Sequence, residues 1–221
     1  MPFRAILFDL DGTLLDTLRD IAAAANEALT LEGFPTHTEA EYLHFIGDGI
    51  GMLIRRAIPP DQGQAEVDRC LEQFQTAYHR GWNVHTRFYP GIPELLDALV
   101  GRSLALAVLS NKADEFTQKY GEEYLSRWPF RAIMGHRSGT AKKPDPASAL
   151  EIAATLGVEP ADCLFVGDSV VDVQTGHAAG MFPVGVSWGF QSVESLKEAR
   201  PSAIIDRPLG VLAVLDRGQG D

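Results

Sequence analysis

The sequence has little of what marks secreted, membrane-bound or metal-thiolate proteins. Its 221 residues include only two cysteines, Cys70 and Cys163, which lie far apart and match no metal-ligand spacing. No run approaches the roughly 18 apolar residues of a membrane span, and the N-terminus has no charged leader followed by an apolar signal core. We therefore expect two cysteines that serve in packing, no membrane contact and a cytoplasmic protein.

Positive charge is also scarce. Lysine and arginine number 19 against 30 acidic residues, which gives a formal net charge of −11. A surface of this sign argues against a broad nucleic-acid interface, because it repels the phosphate backbone. The six histidines are scattered and show no spacing typical of a transition-metal site. A small molecule is the expected partner, and the sequence leaves the oligomeric state open.

Six short apolar runs are present instead of long ones, and each ends in a polar turn. They lie at residues 4–10, 103–111, 131–135, 162–168, 182–188 and 202–206. Runs this short that are apolar throughout are typical of strands buried on both faces. Helical patterns lie between most of them, and one begins with Asp145 and Pro146 and stops at Gly157. The alternation predicts an α/β fold with a doubly wound, Rossmann-like parallel sheet.

One interval breaks this alternation. Residues 16–87 contain helical patterns and no convincing strand. Thr38, with Glu41 three residues later, predicts a capping box at the start of one of these helices. We therefore predict a Rossmann-like core domain formed by residues 1–15 and 88–221, with an all-helical domain at 16–87 inserted into it.

Polar residues follow the predicted strands and are expected to meet at one edge of the sheet, because ligands of such folds bind beyond the carboxyl ends of the strands. These residues are Asp9, Asp11, Ser110, Asn111, Asp168 and Asp172, and Lys142 and Lys143 precede the helix that leads into the fourth strand. Carboxylates gathered in a partly desolvated cleft repel one another, so a positive group must lie among them. Ligation by oxygen alone favours a hard cation, and Mg²⁺ is the natural choice for a phosphate-handling site.

Two aspartates a single residue apart at the end of the first run suggest the chemistry. An ionised carboxylate that is a metal ligand is a weak base but can attack phosphorus, which makes Asp9 a candidate nucleophile. Asp11 would then protonate the leaving oxygen. Gly12 and Thr13 follow at a sharp turn, whose N–H groups can bind phosphoryl oxygens.

Four segments in this order resemble the four motifs of the haloacid dehalogenase (HAD) superfamily of phosphohydrolases. They are DLDGTLLD (9–16), LSN (109–111), KP (143–144) and GDSVVD (167–172). The resemblance covers nearly the whole chain, and the helical insertion resembles the superfamily's cap of the first type. It implies a phosphatase in which Asp9 is the nucleophile and Asp11 is the general acid that later activates water.

The same resemblance implies how the phosphoryl group is bound. Ser110 and the backbone of Asn111 would contact the transferring group. Lys143 would neutralise charge on the phosphoryl oxygens and on Asp9.

It also implies a set of metal ligands. Asp9, the main-chain carbonyl of Asp11 and the carboxylate of Asp168 would hold Mg²⁺. Asp172 would lie outside this set and would orient Lys143 or a metal-bound water.

Within the superfamily, residues 9–29, 47–58 and 89–99 are most similar to phosphoglycolate phosphatases, which implies 2-phosphoglycolate as the substrate. The cap sets substrate choice in these enzymes, so a nucleotidase, a pyrophosphatase or a sugar phosphatase is an open alternative. A non-catalytic phosphate-binding protein is a further one. Asp11 argues against a dehalogenase or a transport ATPase, because those members lack a carboxylate two positions after the nucleophile.

The sequence leaves the function of some residues open. Lys142 stands beside Lys143 and could contribute alongside it, or the pair could form part of a solvated surface. Residues 47–49 could form a plain turn between helices or a loop that closes over the substrate. Arg55 is a candidate partner for a substrate carboxylate.

Overall fold

A computed structural model describes residues 3–217 of the protein. Residues Leu15–Arg87 form one compact unit, and the parts of the chain before and after them form the other. We refer to them as the helical unit and the sheet unit. No helix among residues 3–217 has the length and apolar character needed to cross a membrane.

The strands belong to one large sheet and one small one. In chain order they are β1 (Ala5–Phe8), β2 (Leu15–Asp16), β3 (Arg87–Phe88), β4 (Ala105–Ala113), β5 (Phe130–His136), β6 (Cys163–Gly167), β7 (Phe182–Val186) and β8 (Ala203–Ile205). The large sheet has the order β5-β4-β1-β6-β7-β8, and its neighbours pair in parallel. All six apolar runs therefore form strands, which confirms the predicted doubly wound α/β fold.

Ten α-helices occur among the described residues. They are α1 (Leu18–Leu31), α2 (Glu39–Tyr42), α3 (Ile50–Ala57), α4 (Gln64–Gly81), α5 (Ile92–Val100), α6 (Asp114–Tyr120), α7 (Ala147–Leu156), α8 (Val170–Ala178), α9 (Val193–Glu198) and α10 (Gly210–Arg217). A π-helical turn at Gly121–Leu125 continues α6, and a 3₁₀ turn at Pro160–Asp162 precedes β6. The sheet unit thus alternates strands with helices, as its hydrophobic pattern predicts.

The central strands are buried on both faces. Alternate residues of β1, β4 and β6 pack with α7 in one apolar cluster. The strand residues of this cluster are Ala5, Leu7, Ala105, Ala107, Leu109, Cys163 and Phe165. The intervening residues Ile6, Phe8, Leu106 and Val108 are fully buried as well. Each strand therefore presents apolar side chains to both layers, which is why these runs do not alternate in polarity.

Strand register brings the polar strand ends together. Phe8 at the end of β1 lies opposite Val108 of β4 on one side and Val166 of β6 on the other. The residues that follow these three positions therefore lie at the same edge of the sheet. The backbone N–H of Asp9 still donates to the Val166 carbonyl at 2.9 Å, so the nucleophile candidate begins at a fixed point of the sheet.

The helical unit contains α1 to α4 together with β2. The Thr38 hydroxyl accepts from the Glu41 N–H at 3.3 Å, and Glu41 Oε2 accepts from the Thr38 N–H at 2.7 Å, so the predicted capping box is present at α2. The sequence predicts no strand here, but the structure adds the paired two-residue strands β2 and β3. Two residues are too few to show a period of any kind.

Candidate active site

A tight turn after β1 presents the first two candidate residues. The N–H groups of Thr13 and Leu14 both donate to the Leu10 carbonyl, at 3.3 and 3.0 Å. Gly12 in this turn has φ +83°, a left-handed conformation that residues with a side chain rarely adopt. The turn lets Asp9 and Asp11 leave the strand end side by side while Thr13 is completely buried.

Asp168 lies at the end of β6, and its carboxylate is tightly enclosed. Thr13 Oγ1 donates to Oδ1 at 3.2 Å, and the Phe190 N–H donates to Oδ2 at 2.7 Å. A Cβ at Gly12 would come within 2.3 Å of Oδ2, and one at Gly189 within 2.2 Å of the Asp168 Cβ. These two glycines are therefore required for the backbone to approach the carboxylate so closely.

Thr13 is predicted to bind a substrate phosphoryl group, but its polar groups already have partners within the protein. Its N–H is used by the turn and its hydroxyl by Asp168. The structure thus gives Thr13 a second function, which is to hold the Asp168 side chain in one orientation.

Lys143 links two of the carboxylates. Its Nζ lies 2.9 Å from Asp9 Oδ1 and 2.6 Å from Asp172 Oδ1, and its side chain is almost fully buried. Asp172 Oδ2 accepts from the N–H and the hydroxyl of Ser169, at 3.0 and 2.5 Å. This places the Asp172 carboxylate between the start of α8 and the Lys143 ammonium. These contacts place the Lys143 ammonium at the site.

The end of β4 supports Lys143 through its backbone. The Asn111 side chain accepts from the Lys143 N–H at 2.8 Å and donates to the Lys143 carbonyl at 3.1 Å. Ser110 beside it is buried, and its Oγ accepts from the Lys112 N–H at 3.3 Å. The sequence predicts a role for the Asn111 backbone but not this side-chain clamp on the chain that carries Lys143.

Burial and like charges shift the acidity of these groups. Burial raises the pKa of Asp9 to about 7, and the charge of Asp172 adds to the shift while Lys143 opposes it. Burial also raises the pKa of Asp168 well above its ordinary value, with contributions from Asp172 and Asp9. Burial alone would lower the pKa of Lys143, but Asp172 and Asp9 outweigh it and hold that pKa above its usual range. Negative charge at this strand edge is therefore incompletely compensated.

Lys112 is a further cation at the site. Its Nζ lies 3.1 and 3.2 Å from the two carboxylate oxygens of Asp11. Lys112 belongs to β4, and its side chain is 8% exposed. The sequence offers one signal for it, which is its position directly after the LSN segment at 109–111.

The segment after β7 is a second part of the site, and the sequence pattern does not predict it. Phe190 and Gly189 contact Asp168, as described above, and Trp188 Nε1 donates to the Thr13 carbonyl at 3.0 Å. In the sequence, Trp188 ends an apolar run that predicts a strand, and Gly189 and Phe190 follow it as turn residues. Only the tertiary structure brings them against the turn after β1.

The acidic residues fit a hard divalent cation. Asp9, Asp168 and Asp172 each offer a carboxylate oxygen, and the three atoms lie within 4.8 Å of one another. Among residues 3–217 no group donates a well-aligned hydrogen bond to Asp9 Oδ1, although Lys143 pairs with it by charge. Asp172 is ion-paired with Lys143 at 2.6 Å, whereas Asp168 accepts only from the neutral Thr13 hydroxyl and Phe190 N–H, so Asp168 is the better ligand candidate beside Asp9.

The charges lead to the same conclusion. Among residues 3–217, the four carboxylates described above, when all are ionised, exceed the two ammonium groups that pair with them by two negative charges. The groups counted are Asp9, Asp11, Asp168 and Asp172 against Lys112 and Lys143. A divalent cation balances this excess, and oxygen donors are the ligands that Mg²⁺ prefers.

The candidate residues of the helical unit have partners within that unit. Arg55 donates to the Gln62 carbonyl at 2.9 Å and to Gln64 Oε1 at 3.1 Å. Asp48, in the loop 47–49, forms an ion pair with Arg56. Arg55 as a partner for a substrate carboxylate therefore stays a prediction.

Comparison with known proteins identifies the family. The family model described as haloacid dehalogenase-like hydrolase matches residues 6–186. The chain belongs to this family. The predicted family is thereby confirmed, and the relatives described next, which are named phosphoglycolate phosphatases, confirm the predicted enzyme class, a phosphatase. Phosphatases of this HAD family generally use a divalent metal, and the buried aspartates of this chain can bind one.

Three relatives illustrate how much of this HAD phosphatase is shared. The phosphoglycolate phosphatase of Pseudomonas putida is 35% identical over 208 residues, which cover 92% of this chain and 76% of the relative. That of Haemophilus influenzae is 34% identical over 224 residues, with coverage of 96% and 98%. A crystal structure of a predicted phosphoglycolate phosphatase from Lactobacillus delbrueckii subsp. bulgaricus has a TM-score of 0.91 at 32% identity, covering 97% of this chain and 99% of that one.

Proposed function

We propose that this HAD phosphatase is a Mg²⁺-dependent phosphomonoester hydrolase that acts on a small metabolite, 2-phosphoglycolate, through a phosphoaspartate intermediate. The observation that carries this proposal is the pairing of Asp9 with Lys143 inside a buried group of carboxylates. A nucleophile must be ionised to attack, and Lys143 is the nearest group that favours the ionised form of Asp9. A bound cation would favour it further.

In the first step, a carboxylate oxygen of Asp9 attacks phosphorus in line with the ester oxygen. The bond between phosphorus and that ester oxygen breaks, and Asp11 gives the leaving oxygen its proton. Lys143 compensates charge on the transferring group, and Asp172 keeps the ammonium in place. Ser110 and the backbone of Asn111 bind the phosphoryl oxygens in this proposal.

In the second step, Asp11 acts as the base. It takes a proton from water while the water oxygen attacks phosphorus, and the acyl phosphate bond to Asp9 breaks. The products are inorganic phosphate and the original Asp9 carboxylate, so the enzyme is regenerated. Positioning and charge neutralisation supply most of the rate acceleration in reactions of this type.

The metal would be held by Asp9, the Asp11 carbonyl and Asp168. When bound, Mg²⁺ compensates negative charge on the phosphoryl oxygens and on Asp9. Thr13 and Phe190 hold Asp168 for this purpose, since they bond to its two oxygens. Gly12 allows the main chain of the turn to lie against the same carboxylate.

We further propose that the helical unit, predicted as residues 16–87, is a cap that closes over the substrate and selects it. The relatives named phosphoglycolate phosphatase cover this unit as well as the sheet unit, because they align with at least 92% of the chain. An alignment that spans both units supports 2-phosphoglycolate over the nucleotide, pyrophosphate and sugar phosphate alternatives.

A substrate panel tests the specificity. Values of kcat/KM would be measured at fixed Mg²⁺ for 2-phosphoglycolate, p-nitrophenyl phosphate, AMP, pyrophosphate and glucose 6-phosphate. We expect 2-phosphoglycolate to exceed the generic ester by at least about 10²-fold, because productive contacts to the whole substrate lower the barrier. A higher value for any other member would assign that substrate instead.

The variant Asp9→Asn tests the chemistry. It should lower kcat for every ester by at least about 10³-fold, because it removes the attacking oxygen. Asp11→Asn should keep the fold and metal binding, since the predicted ligand is its carbonyl, but should lower turnover by about 10²- to 10⁴-fold. Glu198→Gln removes one exposed negative charge and is the matched control. Hydrolysis by Asp9→Asn at the wild-type rate would exclude Asp9 as the nucleophile.

A further inference from the structure

We propose that Lys112 is a positioning residue for Asp11, holding its carboxylate in the orientation required for proton transfer. The inference rests on the proposed acid and base function of Asp11. It adds a residue outside the four motifs on which the family assignment was predicted.

The contact engages the whole carboxylate. Lys112 Nζ is 3.1 Å from Oδ1 and 3.2 Å from Oδ2 of Asp11, so neither oxygen is preferred. The last torsion of an aspartate side chain is broad and two-fold when nothing holds it. An ammonium placed symmetrically in front of both oxygens restricts this rotation. The carboxylate plane is thereby fixed before a substrate arrives.

Lys112 also has a second contact, with the aromatic ring of Tyr120. Its side chain is 8% exposed, and its Nζ lies 5.0 Å from the centroid of the Tyr120 ring, where a cation is attracted to the ring face. Tyr120 is fully buried at the end of α6, and its ring packs against Tyr124 in the π-helical turn. A buried ammonium requires a compensating partner, and Asp11 is the carboxylate that meets it here.

The backbone joins this contact to the phosphoryl site. The Lys112 N–H donates to Ser110 Oγ at 3.3 Å, while its side chain reaches Asp11. Ser110 and Lys112 are two residues apart in the last part of β4, where the pairing with β5 shifts register between Leu109 and Ala113. One strand segment therefore positions the group proposed to bind phosphate and the group proposed to move the proton.

The contact also leaves room for the reaction. A carboxylate has about four lone-pair sites and Lys112 engages each oxygen once, so this contact does not itself cover the site that carries the proton exchanged with a leaving group or with water. Lys112 thus orients Asp11 without occupying every acceptor position. Misplacement of a catalytic group by about 1 Å can cost about 10²-fold in rate, which sets the size of the expected effect.

A double-mutant cycle with p-nitrophenyl phosphate and Mg²⁺ tests the inference. Lys112→Met keeps the chain length and removes the ammonium, so kcat should fall by about 10- to 100-fold while KM changes by less than about threefold. In the Asp11→Asn background, the same substitution should change kcat by less than about threefold, because there is no carboxylate left to orient. Lys112→Gln can donate one hydrogen bond and should give a kcat between those of Lys112→Met and the wild type.

Three outcomes would overturn the inference. They are a wild-type kcat in Lys112→Met, the same fold loss in both backgrounds, and a loss that appears mainly in KM. The last would mean that Lys112 binds the substrate directly. Failure of the proposed function looks different, because Asp11→Asn would then itself retain wild-type turnover.

Controls separate positioning from folding. Lys119→Met removes a lysine of α6 whose ion pair with Glu115 lies on the surface, and it should leave kcat unchanged. Melting temperatures of all variants would be recorded with and without Mg²⁺. If Lys112→Met does not fold, the cycle is carried out with Lys112→Gln, and equal fold losses in both backgrounds again overturn the inference.

Discussion

Two buried aspartates, Asp9 in the sheet unit and Asp20 in the helical unit, are almost equally inaccessible but differ in their surroundings. Asp20 accepts from the N–H groups of His85 and Thr86 and from the Thr86 hydroxyl, at 2.8 to 3.0 Å. Asp9 has Lys143 as an ion-pair partner but lies near other carboxylates, and its pKa is raised to about 7. A buried acid with several donors stabilises its unit, whereas one crowded by like charge marks a site prepared for a cation.

The same substitution should therefore have opposite effects on stability at the two positions. At about pH 8 without metal, Asp9→Asn should raise the free energy of unfolding by up to about 4 kcal/mol. The neutral amide avoids the cost of keeping a buried Asp9 ionised, which is about 1.36 kcal/mol for each of the roughly three units by which its pKa is raised. This is an upper limit, since the neutral amide must itself be desolvated in the buried site. Asp20→Asn should lower it by about 1–3 kcal/mol, because donors to a charged acceptor lose their partner.

Urea denaturation of both variants measures this contrast. The wild type and Glu198→Gln provide the reference for removal of a negative charge. If Asp9→Asn destabilises the metal-free protein as much as Asp20→Asn does, Asp9 is an ordinary structural residue and the comparison fails.

Metal should reverse the penalty at Asp9, and the effect should depend on pH. The folded protein holds the Asp9 proton more tightly than the unfolded chain, so this contribution to stability is complete below about pH 3.8 and is lost as pH rises to about 7. Mg²⁺ competes with that proton. Saturating Mg²⁺ should raise Tm by roughly 5 °C at about pH 8 and by clearly less at about pH 5.5.

Differential scanning calorimetry with Mg²⁺ and with a chelator provides the measurement. The Asp9→Asn variant should show a much smaller increase at both pH values. An equal increase at the two pH values would mean that the ion binds elsewhere.

The two capping boxes give the smallest and most specific contrast. Thr38 caps α2 on an exposed part of the helical unit, and Ser169 caps α8 where Asp172 also holds Lys143. Thr38→Ala and Ser169→Ala should each cost about 1 kcal/mol of stability. Only Ser169→Ala should also lower kcat, by about tenfold, because Asp172 is then free to move with Lys143. Equal kcat values in the two variants would remove Asp172 from its proposed function.

Much of the sheet unit could be predicted from its sequence because its elements are encoded locally. Apolar runs at 4–10 and 162–168 each become a strand, and the turn residues after them mark one edge of the sheet. The capping box of Thr38 and Glu41 could be recognised for the same reason, since both partners lie within one helical turn. The two-residue strands β2 and β3 could not be recognised, because their pairing joins positions about 70 residues apart.

The sequence by itself determined which polar residues follow the strands, the doubly wound fold and the candidates Asp9, Asp11, Lys143 and Asp168. Only the tertiary structure decided which donor meets which carboxylate. In the folded protein Lys112 pairs with Asp11, and the Asn111 side chain binds the backbone of Lys143. The Phe190 N–H donates to Asp168. Hydrophobic period and capping act over a few residues, whereas charge compensation in a buried site depends on side chains that are distant in the chain and meet only after the sheet has formed.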